Sequence, residues 1–168
     1  HRTNRKGYKA GALEDALISA KGEFIAIFDA DFLPEKNFLQ RTIPHFQNDQ
    51  IGMVQTRWGH INRNYNLLTK LQAFALDAHF TIEQVGRNAK DGFINFNGTA
   101  GVWRKECILD AGNWSSDTLT EDLDLSYRAQ LKDWQFVFLE NVASPAELPP
   151  VMSALKTQQY RWTKGGAE

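Results

Sequence analysis

The chain has 168 residues, enough for one domain with a hydrophobic core but too few for two domains of ordinary size. Hydrophobic residues make up 42% of it and charged residues 23%, which is typical of a globular protein, and the net charge of −1 argues against a nucleic-acid partner. The single cysteine excludes an internal disulfide, and the longest apolar run, residues 24–28, is too short to span a bilayer.

The first third of the chain predicts a helix, a strand and a second helix. The first helix should cover residues 9–21. Its apolar residues recur at helical spacing: Leu13, Ala16, Leu17 and Ala20. Gly22 is a suitable residue to end it. Residues 23–28 predict a buried strand, and a turn at Pro34 leads into a helix over 35–47.

The middle of the chain combines a second strand with a long helix. Residues 51–56 predict a buried strand, and the polar residues 57–64 predict a loop. An amphipathic helix is expected over 66–86. Its apolar stripe consists of Leu67, Leu71, Phe74, Ala75, Ala78, Ile82 and Val85.

The last part of the chain returns to short elements. Two short strands are expected at 92–96 and 100–104, followed by a helix over 121–132 and a strand over 135–139. A proline pair then precedes a final helix that reaches Trp162. Strands that alternate with helices predict an α/β fold built in layers.

Two carboxylates, Asp29 and Asp31, follow the first predicted strand directly. In an open α/β sheet, ligands bind at the carboxyl ends of the strands, and period two would put both side chains on one face. Two hard oxygen ligands at that place suit Mg²⁺ or Mn²⁺. The alternative is that Asp31 caps the next helix and Asp29 is an ordinary turn residue. The position after an apolar strand favours the metal-binding interpretation.

A second acidic group, Thr120-Glu121-Asp122, begins a predicted helix. Thr118 and Glu121 have the spacing of a capping box, and acids in a first helical turn are favoured by the helix dipole, so the pattern by itself favours a cap. The functional alternative makes Asp122 a general base that faces an acceptor hydroxyl. Both can hold, because a capped helix start also holds a catalytic side chain rigidly.

The last helix carries Gln158, Arg161 and Trp162, which spacings of three and four place on one face. The guanidinium could hold a pyrophosphate with two hydrogen bonds, and the indole could stack on a sugar ring. The alternatives are an Arg–Trp cation–π pair on an amphipathic helix, or a helix that lies on a membrane surface.

Two further patterns are weaker. The segment 97–101 contains Gly98 and would let the backbone approach a ligand closely, but by itself the pattern favours a plain glycine hairpin turn. His79 and Glu83 lie four residues apart on the long helix, which suits a pair of metal ligands. No third ligand follows in a recognisable pattern, so a metal site is not expected there.

Taken in order, D-x-D at 29–31, T-E-D at 120–122 and Q-x-x-R-W at 158–162 resemble the signature of the processive family 2 glycosyltransferases. That superfamily includes cellulose synthases and the cellulose synthase-like mannan and glucan synthases. Residues 9–11 and 96–104 also match. Residues 76–84 look closest to plant mannan synthases, xyloglucan-backbone glucan synthases and their bacterial relatives. The resemblance covers essentially the whole chain.

The resemblance implies an α/β fold of the GT-A type, a mixed sheet flanked by helices. It implies inverting transfer of a hexose from UDP-glucose or GDP-mannose to a growing β-linked polysaccharide, which serves as the glycan acceptor. Asp29 and Asp31 would hold Mg²⁺ or Mn²⁺ and the donor diphosphate, and Asp122 would be the base. The other implied donor-binding residues are Lys9, Gln158 and Arg161. The implied acceptor-binding residues are Gly98, Thr99, Glu121 and Trp162.

The chain departs from the family at its front. The family's core begins with about two strands that carry a nucleotide-binding aspartate, and none of that precedes His1. The family's membrane helices are absent as well. We therefore expect residues 1–168 to be one partial catalytic domain, soluble but inactive by itself, from a parent protein embedded in a bacterial inner membrane or the Golgi, with this part on the cytosolic face. An exposed sheet edge would favour self-association. The alternative functions are a nucleotidyltransferase and a non-catalytic glycan-binding module.

Overall fold

The computed structural model describes residues 3–90 and 92–167, and within them four strands form one mixed sheet. The strands are β1 (Phe24–Ile27), β2 (Ile51–His60), β3 (Gly101–Arg104) and β4 (Gln135–Ala146). Their order across the sheet is β1-β3-β2-β4, in which β3 runs antiparallel to both neighbours and β2 runs parallel to β4. The predicted α/β class with a mixed sheet is confirmed.

Helical segments connect and flank the strands. In chain order they are α1 (Tyr8–Ser19), α2 (Phe38–Thr42) with a 3₁₀ turn (Ile43–Gln47), α3 (Leu67–Ala78), a π-helical segment (His79–Gln84), α4 (Val85–Asn88), α5 (Lys105–Asp110), α6 (Glu121–Gln130) and α7 (Met152–Ala167). The helices expected over 9–21 and 121–132 therefore lie within two residues of their predicted bounds. The sequence pattern did not predict α5.

Two expectations about strands are wrong. The polar segment expected as a loop over 57–64 instead extends β2 to His60, because β4 shifts its register after Thr56 and pairs its last four residues with that segment. The segment 92–96 is not a strand. Its backbone N–H groups bind side chains of α6 instead of a neighbouring strand: Ile94 donates to Gln130 at 2.8 Å and Phe96 to Ser126 at 2.9 Å.

The sheet has a hydrophobic core on each face, because successive residues of a strand point to opposite sides. On one face, Trp103 is fully buried and meets Phe96, Trp114 and Phe136 edge-on, with ring centroids 5.5, 5.8 and 5.2 Å away. Val102, the residue before Trp103, belongs to the smaller cluster on the other face. Cores on both faces hold the strand ends, and therefore any site built on them, in fixed positions.

The long helical segment begins at a capping box in which the Asn66 side chain accepts from the Thr69 N–H and the Thr69 hydroxyl accepts from the Asn66 N–H. Most of its predicted apolar stripe faces outward, since Leu67, Phe74 and Ile82 are each more than 70% exposed, while Val85 at its end packs against the core. The face that packs inward carries Thr69, Ala73, Phe80 and Gln84 instead. Among the described residues, no helix combines the length and the hydrophobicity that crossing a bilayer requires.

Candidate active site

Three segments of the chain meet at the carboxyl end of β1. The Lys9 ammonium of α1 donates to Asp29 Oδ1 at 2.7 Å and to the Gly98 carbonyl at 2.8 Å. The Thr99 hydroxyl accepts from the Asp29 backbone N–H at 2.9 Å. Lys9 and Thr99 therefore tie the end of the strand to the segment before β3, and the lysine is anchored by an ion pair and by a backbone carbonyl.

Gly98 is required by this arrangement for two reasons. Its φ of +79° lies in the left-handed region that favours glycine, and a Cβ at this position would lie 3.0 Å from Asp122 Oδ2 and 3.5 Å from Lys9 Nζ. The backbone therefore closely approaches the carboxylate of α6. The hairpin-turn alternative for this segment is wrong, because residues 92–96 do not form a strand that could pair with β3.

The acids of the T-E-D group lie at the start of α6, but they do not form the expected capping box. Thr120 is the residue before the helix and makes no side-chain cap, while the Thr118 hydroxyl accepts from the Thr120 N–H at 3.2 Å. Glu121 is buried and Asp122 is partly buried, and both lie among the charges of Lys9 and Asp29.

Burial raises the pKa of the Asp122 carboxyl, and the Asp29 charge raises it further. Two backbone N–H groups and Lys9 lower it, without cancelling the effect of burial. The pKa of Glu121 is also raised, first by burial and then by the charge of Asp122. Both carboxyls therefore hold a proton more readily than an exposed acid, which suits a group that must take up a proton during a reaction.

Asp31 lies two residues beyond Asp29 and is exposed, and its side chain makes no hydrogen bond or ion pair with the described part of the chain. It does not cap the following helix, because α2 begins after Asn37. The alternative interpretation of Asp31 is therefore wrong. Asp31 lies within a tight turn, closed by the Phe32 N–H donating to the Asp29 carbonyl at 3.1 Å, and the Leu33 N–H then donates to the Pro145 carbonyl of β4 at 2.9 Å.

β1 ends at Ile27, before both aspartates, so the strand does not set them on one face, but their free oxygens are of the kind that a divalent cation sharing its ligands with a bound anion would use. Residues 3–90 and 92–167 contain no group of three or more His, Cys, Asp or Glu side chains that could hold a metal by themselves. Lys9 occupies Oδ1 of Asp29, which leaves Oδ2 together with the free Asp31 carboxylate. Mg²⁺ and Mn²⁺ sites commonly use one or two carboxylates and complete the coordination with phosphate oxygens and water.

The last helix reaches this region through an aromatic contact and a glycine contact. The Trp162 ring lies 6.3 Å from the Trp58 ring of β2, and Trp58 lies 5.4 Å from Phe32, the residue after Asp31. Gly165 is buried against Thr120, the residue before the two α6 acids. Helix α7 thus contacts Trp58, which packs against the residue next to Asp31, and Thr120, which precedes Glu121 and Asp122.

The polar residues of α7 are less constrained. Arg161 is exposed and Gln158 is partly buried, and neither side chain makes a hydrogen bond or ion pair with the described residues. Within that part of the chain, Arg161 forms no cation–π pair with Trp162 either, since the cation–π contacts present are those of Arg104 with Phe24 and Phe46. The structure therefore brings together six of the predicted site residues, while Arg161 and Gln158 on the neighbouring helix make no hydrogen bond or ion pair with them. The six are Lys9, Asp29, Gly98, Thr99, Glu121 and Asp122.

Sequence reasoning missed Gln55, which holds the segment before β3 in place. Gln55 is fully buried in β2, its amide nitrogen donates to the carbonyls of Thr99 and Ala100 at 3.2 Å each, and its oxygen accepts from the Asn97 N–H at 2.9 Å. A glutamine in an otherwise apolar strand was the available signal, because a buried amide needs partners.

Replacing Gly165 by Ala tests how closely α7 packs on the start of α6. The new Cβ would lie 2.5 Å from the Thr120 methyl and 2.9 Å from its backbone nitrogen, so overpacking should lower the free energy of unfolding by about 1–3 kcal/mol. Gly166→Ala is the matched control: nothing lies within 4 Å of its Cβ, and alanine favours a helix by up to about 1 kcal/mol. In urea unfolding, Gly165→Ala should therefore lower the free energy of unfolding and Gly166→Ala should raise it. Equal changes in the two variants would contradict the close contact between Gly165 and Thr120.

The sequence matches the family described as "Glycosyltransferase like family 2" over residues 1–165. Among curated proteins of Oryza sativa subsp. japonica, it is 48% identical to "Probable glucomannan 4-beta-mannosyltransferase 4" and 47% identical to "Glucomannan 4-beta-mannosyltransferase 1". Both alignments cover 99% of this chain, but only 31% and 33% of the rice proteins. The chain therefore spans about a third of the length of the curated relatives it matches.

Solved structures share the fold at low sequence identity. The mannosyltransferase PcManGT from Pyrobaculum calidifontis, solved in complex with GDP-Man and Mn²⁺, superposes with a TM-score of 0.68 at 18% identity, covering 99% of this chain and 44% of that one. The glucosyl-3-phosphoglycerate synthase from Mycobacterium tuberculosis, solved with Mn²⁺, UDP-Glc and glycerol 3-phosphate, gives 0.52 at 15% identity, with coverages of 94% and 55%. The fold is GT-A, and because the family match runs from the first residue to within three of the last, the chain belongs to glycosyltransferase family 2.

Proposed function

We propose that this chain carries the catalytic centre of an inverting β-hexosyltransferase, which moves a mannose or glucose from GDP-mannose or UDP-glucose to the end of a growing β-linked polysaccharide. The observation that carries the proposal is the convergence of Lys9, Asp29, Gly98 and Asp122 from four separate segments at the carboxyl end of β1. The rice relatives are named as glucomannan 4-beta-mannosyltransferases, which supports mannose as the transferred sugar and a β-linked polysaccharide as the acceptor.

In this proposal Asp122 is the general base. It removes the proton of the acceptor hydroxyl while that oxygen attacks the anomeric carbon from the face opposite the leaving diphosphate, which inverts the configuration. The raised pKa of Asp122 supports this role, because a base works best when its pKa approaches the operating pH. Lys9 lies between the carboxylate of Asp29 and the backbone next to Asp122, so its charge is available to the leaving group.

The remaining site residues are assigned by the side of the site on which they lie. Asp29 and Asp31 would hold Mg²⁺ or Mn²⁺, which when bound would offset the negative charge that develops on the departing nucleoside diphosphate. Arg161 is exposed, and neither its side chain nor that of the partly buried Gln158 is held by a hydrogen bond within the described residues, so both would be available to bind that diphosphate. On the acceptor side we assign a stacking role to Trp162, together with lining roles for Gly98, Thr99 and Glu121.

Transfer assays on the complete protein in membranes test this function. With labelled GDP-mannose and UDP-glucose offered separately, one donor should yield a β-linked product and release a nucleoside diphosphate. Release of pyrophosphate would instead support a nucleotidyltransferase. Binding of oligosaccharide without metal and without turnover of either donor would support a glycan-binding module, and either result would overturn the proposal.

We also propose that transfer requires parts of the protein outside this chain, which acts at the cytosolic face of a membrane and is inactive by itself. The chain spans about a third of its curated relatives, and α3 presents an outward apolar stripe that includes Leu67, Leu71 and Phe74. Self-association stays a further prediction: within the described residues β1 pairs on one side only, with β3. Light scattering should show association that grows with concentration, and a clean monomer throughout would contradict it.

A further inference from the structure

A π-helical segment lies beside the proposed site and holds the residue before Gly98. The Asn97 side chain is bound at both ends by this segment: Gln84 Nε2 donates to its Oδ1 at 2.9 Å, and its Nδ2 lies 3.0 Å from His79 Nε2. Its backbone N–H is held by Gln55 at 2.9 Å. No part of the D-x-D, T-E-D and Q-x-x-R-W signature includes these residues.

The helix type explains how two residues can reach one amide. In a regular α-helix, positions five apart point about 140° away from each other, since there are 3.6 residues per turn. A π-helical turn bonds each residue to the one five positions away and so aligns such positions. His79 and Gln84 are five positions apart and are the first and last residues of the segment. Single π-helical turns occur often at functional sites.

The hydrogen bonds also determine where the protons are. Gln84 Nε2 lies 3.2 Å from the Asn95 carbonyl, which can only accept, so the NH₂ group of Gln84 faces that side. The same NH₂ group donates to Asn97, so Asn97 presents its oxygen to Gln84 and its own NH₂ group to His79. His79 Nε2 must therefore accept, and the ring proton lies on Nδ1.

Glu83 holds the imidazole in that tautomer. Its Oε2 lies 2.7 Å from His79 Nδ1, and its Oε1 accepts from Arg87 at 2.6 Å. Burial raises the pKa of Glu83, but the hydrogen bonds that His79 and Arg87 donate and the charge of Arg87 outweigh it, so the carboxyl stays ionised and accepts from both. The imidazole ring also packs edge-on against Phe80, with centroids 5.0 Å apart.

The hydrogen-bond network around Asn97 lowers the stability of the fold at one atom. Gln84 is 1% exposed, and its Oε1 has no hydrogen-bond partner within the described residues. An unsatisfied buried polar atom typically costs about 1–3 kcal/mol. An apolar side chain would avoid that cost but could not bind Asn97, which indicates that the orientation of the Asn97 amide has a use beyond stability.

We infer that His79 is a positioning residue for the proposed transfer reaction: its neutral imidazole, fixed by Glu83, holds the Asn97 amide and thereby keeps Gly98 and Thr99 in register with Lys9 and Asp29. The Gly98 carbonyl accepts from Lys9, and the Thr99 hydroxyl accepts from the Asp29 N–H. Movement of residues 97–99 would therefore disturb both hydrogen bonds. The inference rests on the proposed function, because it assigns a role within that reaction.

The test compares two replacements of His79 in the complete protein. His79→Phe keeps a ring against Phe80 but removes the acceptor nitrogen, and should lower kcat by about tenfold, since a displacement of about 1 Å can reduce a rate by up to about 100-fold. The KM for the donor should change little, because Lys9 keeps its ion pair with Asp29. His79→Gln places an amide oxygen near the position of Nε2 and should restore most of kcat. His45→Phe, at an exposed histidine of the 3₁₀ turn, is the control and should leave kcat unchanged.

A second measurement does not depend on turnover. In ¹⁵N-histidine-labelled protein at slightly alkaline pH, the resonances that disappear in His79→Gln should be those of the neutral ring protonated at Nδ1. A ring protonated at Nε2, or equal kcat values for the Phe and Gln variants, would overturn the inference. If the unmodified protein transfers no sugar, the proposed function fails. If it transfers sugar and His79→Phe does too at the same rate, only the role of His79 fails.

Discussion

Replacing Asp122 by Asn is expected to reduce the rate of sugar transfer by about 10²–10⁴-fold, because an amide cannot take up the proton of the acceptor hydroxyl. Binding of the nucleoside diphosphate with Mn²⁺ should be largely spared, since Lys9, Asp29 and Asp31 are unchanged. Rates measured at saturating donor, together with calorimetric titration of the diphosphate, separate the two effects. Near-normal turnover in the variant would mean that another group is the base.

The same substitution should make the metal-free protein more stable. The pKa of Asp122 in the folded state lies above its ordinary value, so the stability contributed by its protonated form is fully present below the unfolded pKa and is lost as the pH rises through the folded pKa. Burial disfavours the ionised form of Asp122, and a neutral asparagine side chain avoids this penalty at every pH at which the carboxyl is charged. The melting temperature of Asp122→Asn should therefore exceed that of the wild type at neutral pH, and the difference should shrink in acid.

Asp117→Asn is the control for both effects. Asp117 is an exposed acid three residues before Thr120, and it lies outside the contacts that connect Lys9, Asp29 and Gly98. Its replacement should change neither the rate nor the melting temperature. If Asp117→Asn raised the melting temperature as much as Asp122→Asn, the stabilisation would come from overall charge and not from burial at the start of α6.

The second large effect is expected from Asp29→Asn, which should lower transfer by about 100-fold or more. A neutral amide is a weaker ligand for Mg²⁺ or Mn²⁺ than a carboxylate, and the variant also loses the ion pair with Lys9. Removing divalent cations with EDTA should abolish transfer in the wild type, and added Mn²⁺ or Mg²⁺ should restore it. Titrating the cation against transfer rate should show a much weaker apparent affinity in Asp29→Asn.

Asp110→Asn provides a matched control for this variant. Asp110 also forms an ion pair with a lysine, Lys132, at 3.0 Å, but lies on a different part of the surface. Losing an exposed ion pair typically changes stability by less than about 1 kcal/mol, and transfer should keep its dependence on the cation. Full activity of the wild type in the presence of EDTA would contradict the proposed role of Asp29 and Asp31.

Local sequence patterns were reliable where a residue's role follows from its neighbours in the chain. The helix at Tyr8–Ser19 and the acids at the ends of β1 and the start of α6 follow from apolar periodicity and from where each pattern stops. The capping box at Thr118 failed because the Thr118 hydroxyl bonds the nearer Thr120 N–H. The prediction of a strand at 92–96 is wrong because backbone N–H groups of this segment donate to side chains of α6. The residues of the segment itself do not indicate those partners.

The sequence by itself therefore determined the α/β class and the acidic residues that can carry the chemistry, because both depend on residue type and on spacing within one element. Only the tertiary structure decided that the apolar face of α3 points outward, that β2 continues to His60, and that Gln55 and His79 hold the segment before β3. The extension of β2 and the roles of Gln55 and His79 depend on partners that are 18 or more residues away in the sequence. Such contacts form only when the sheet order and the helix packing bring distant segments together.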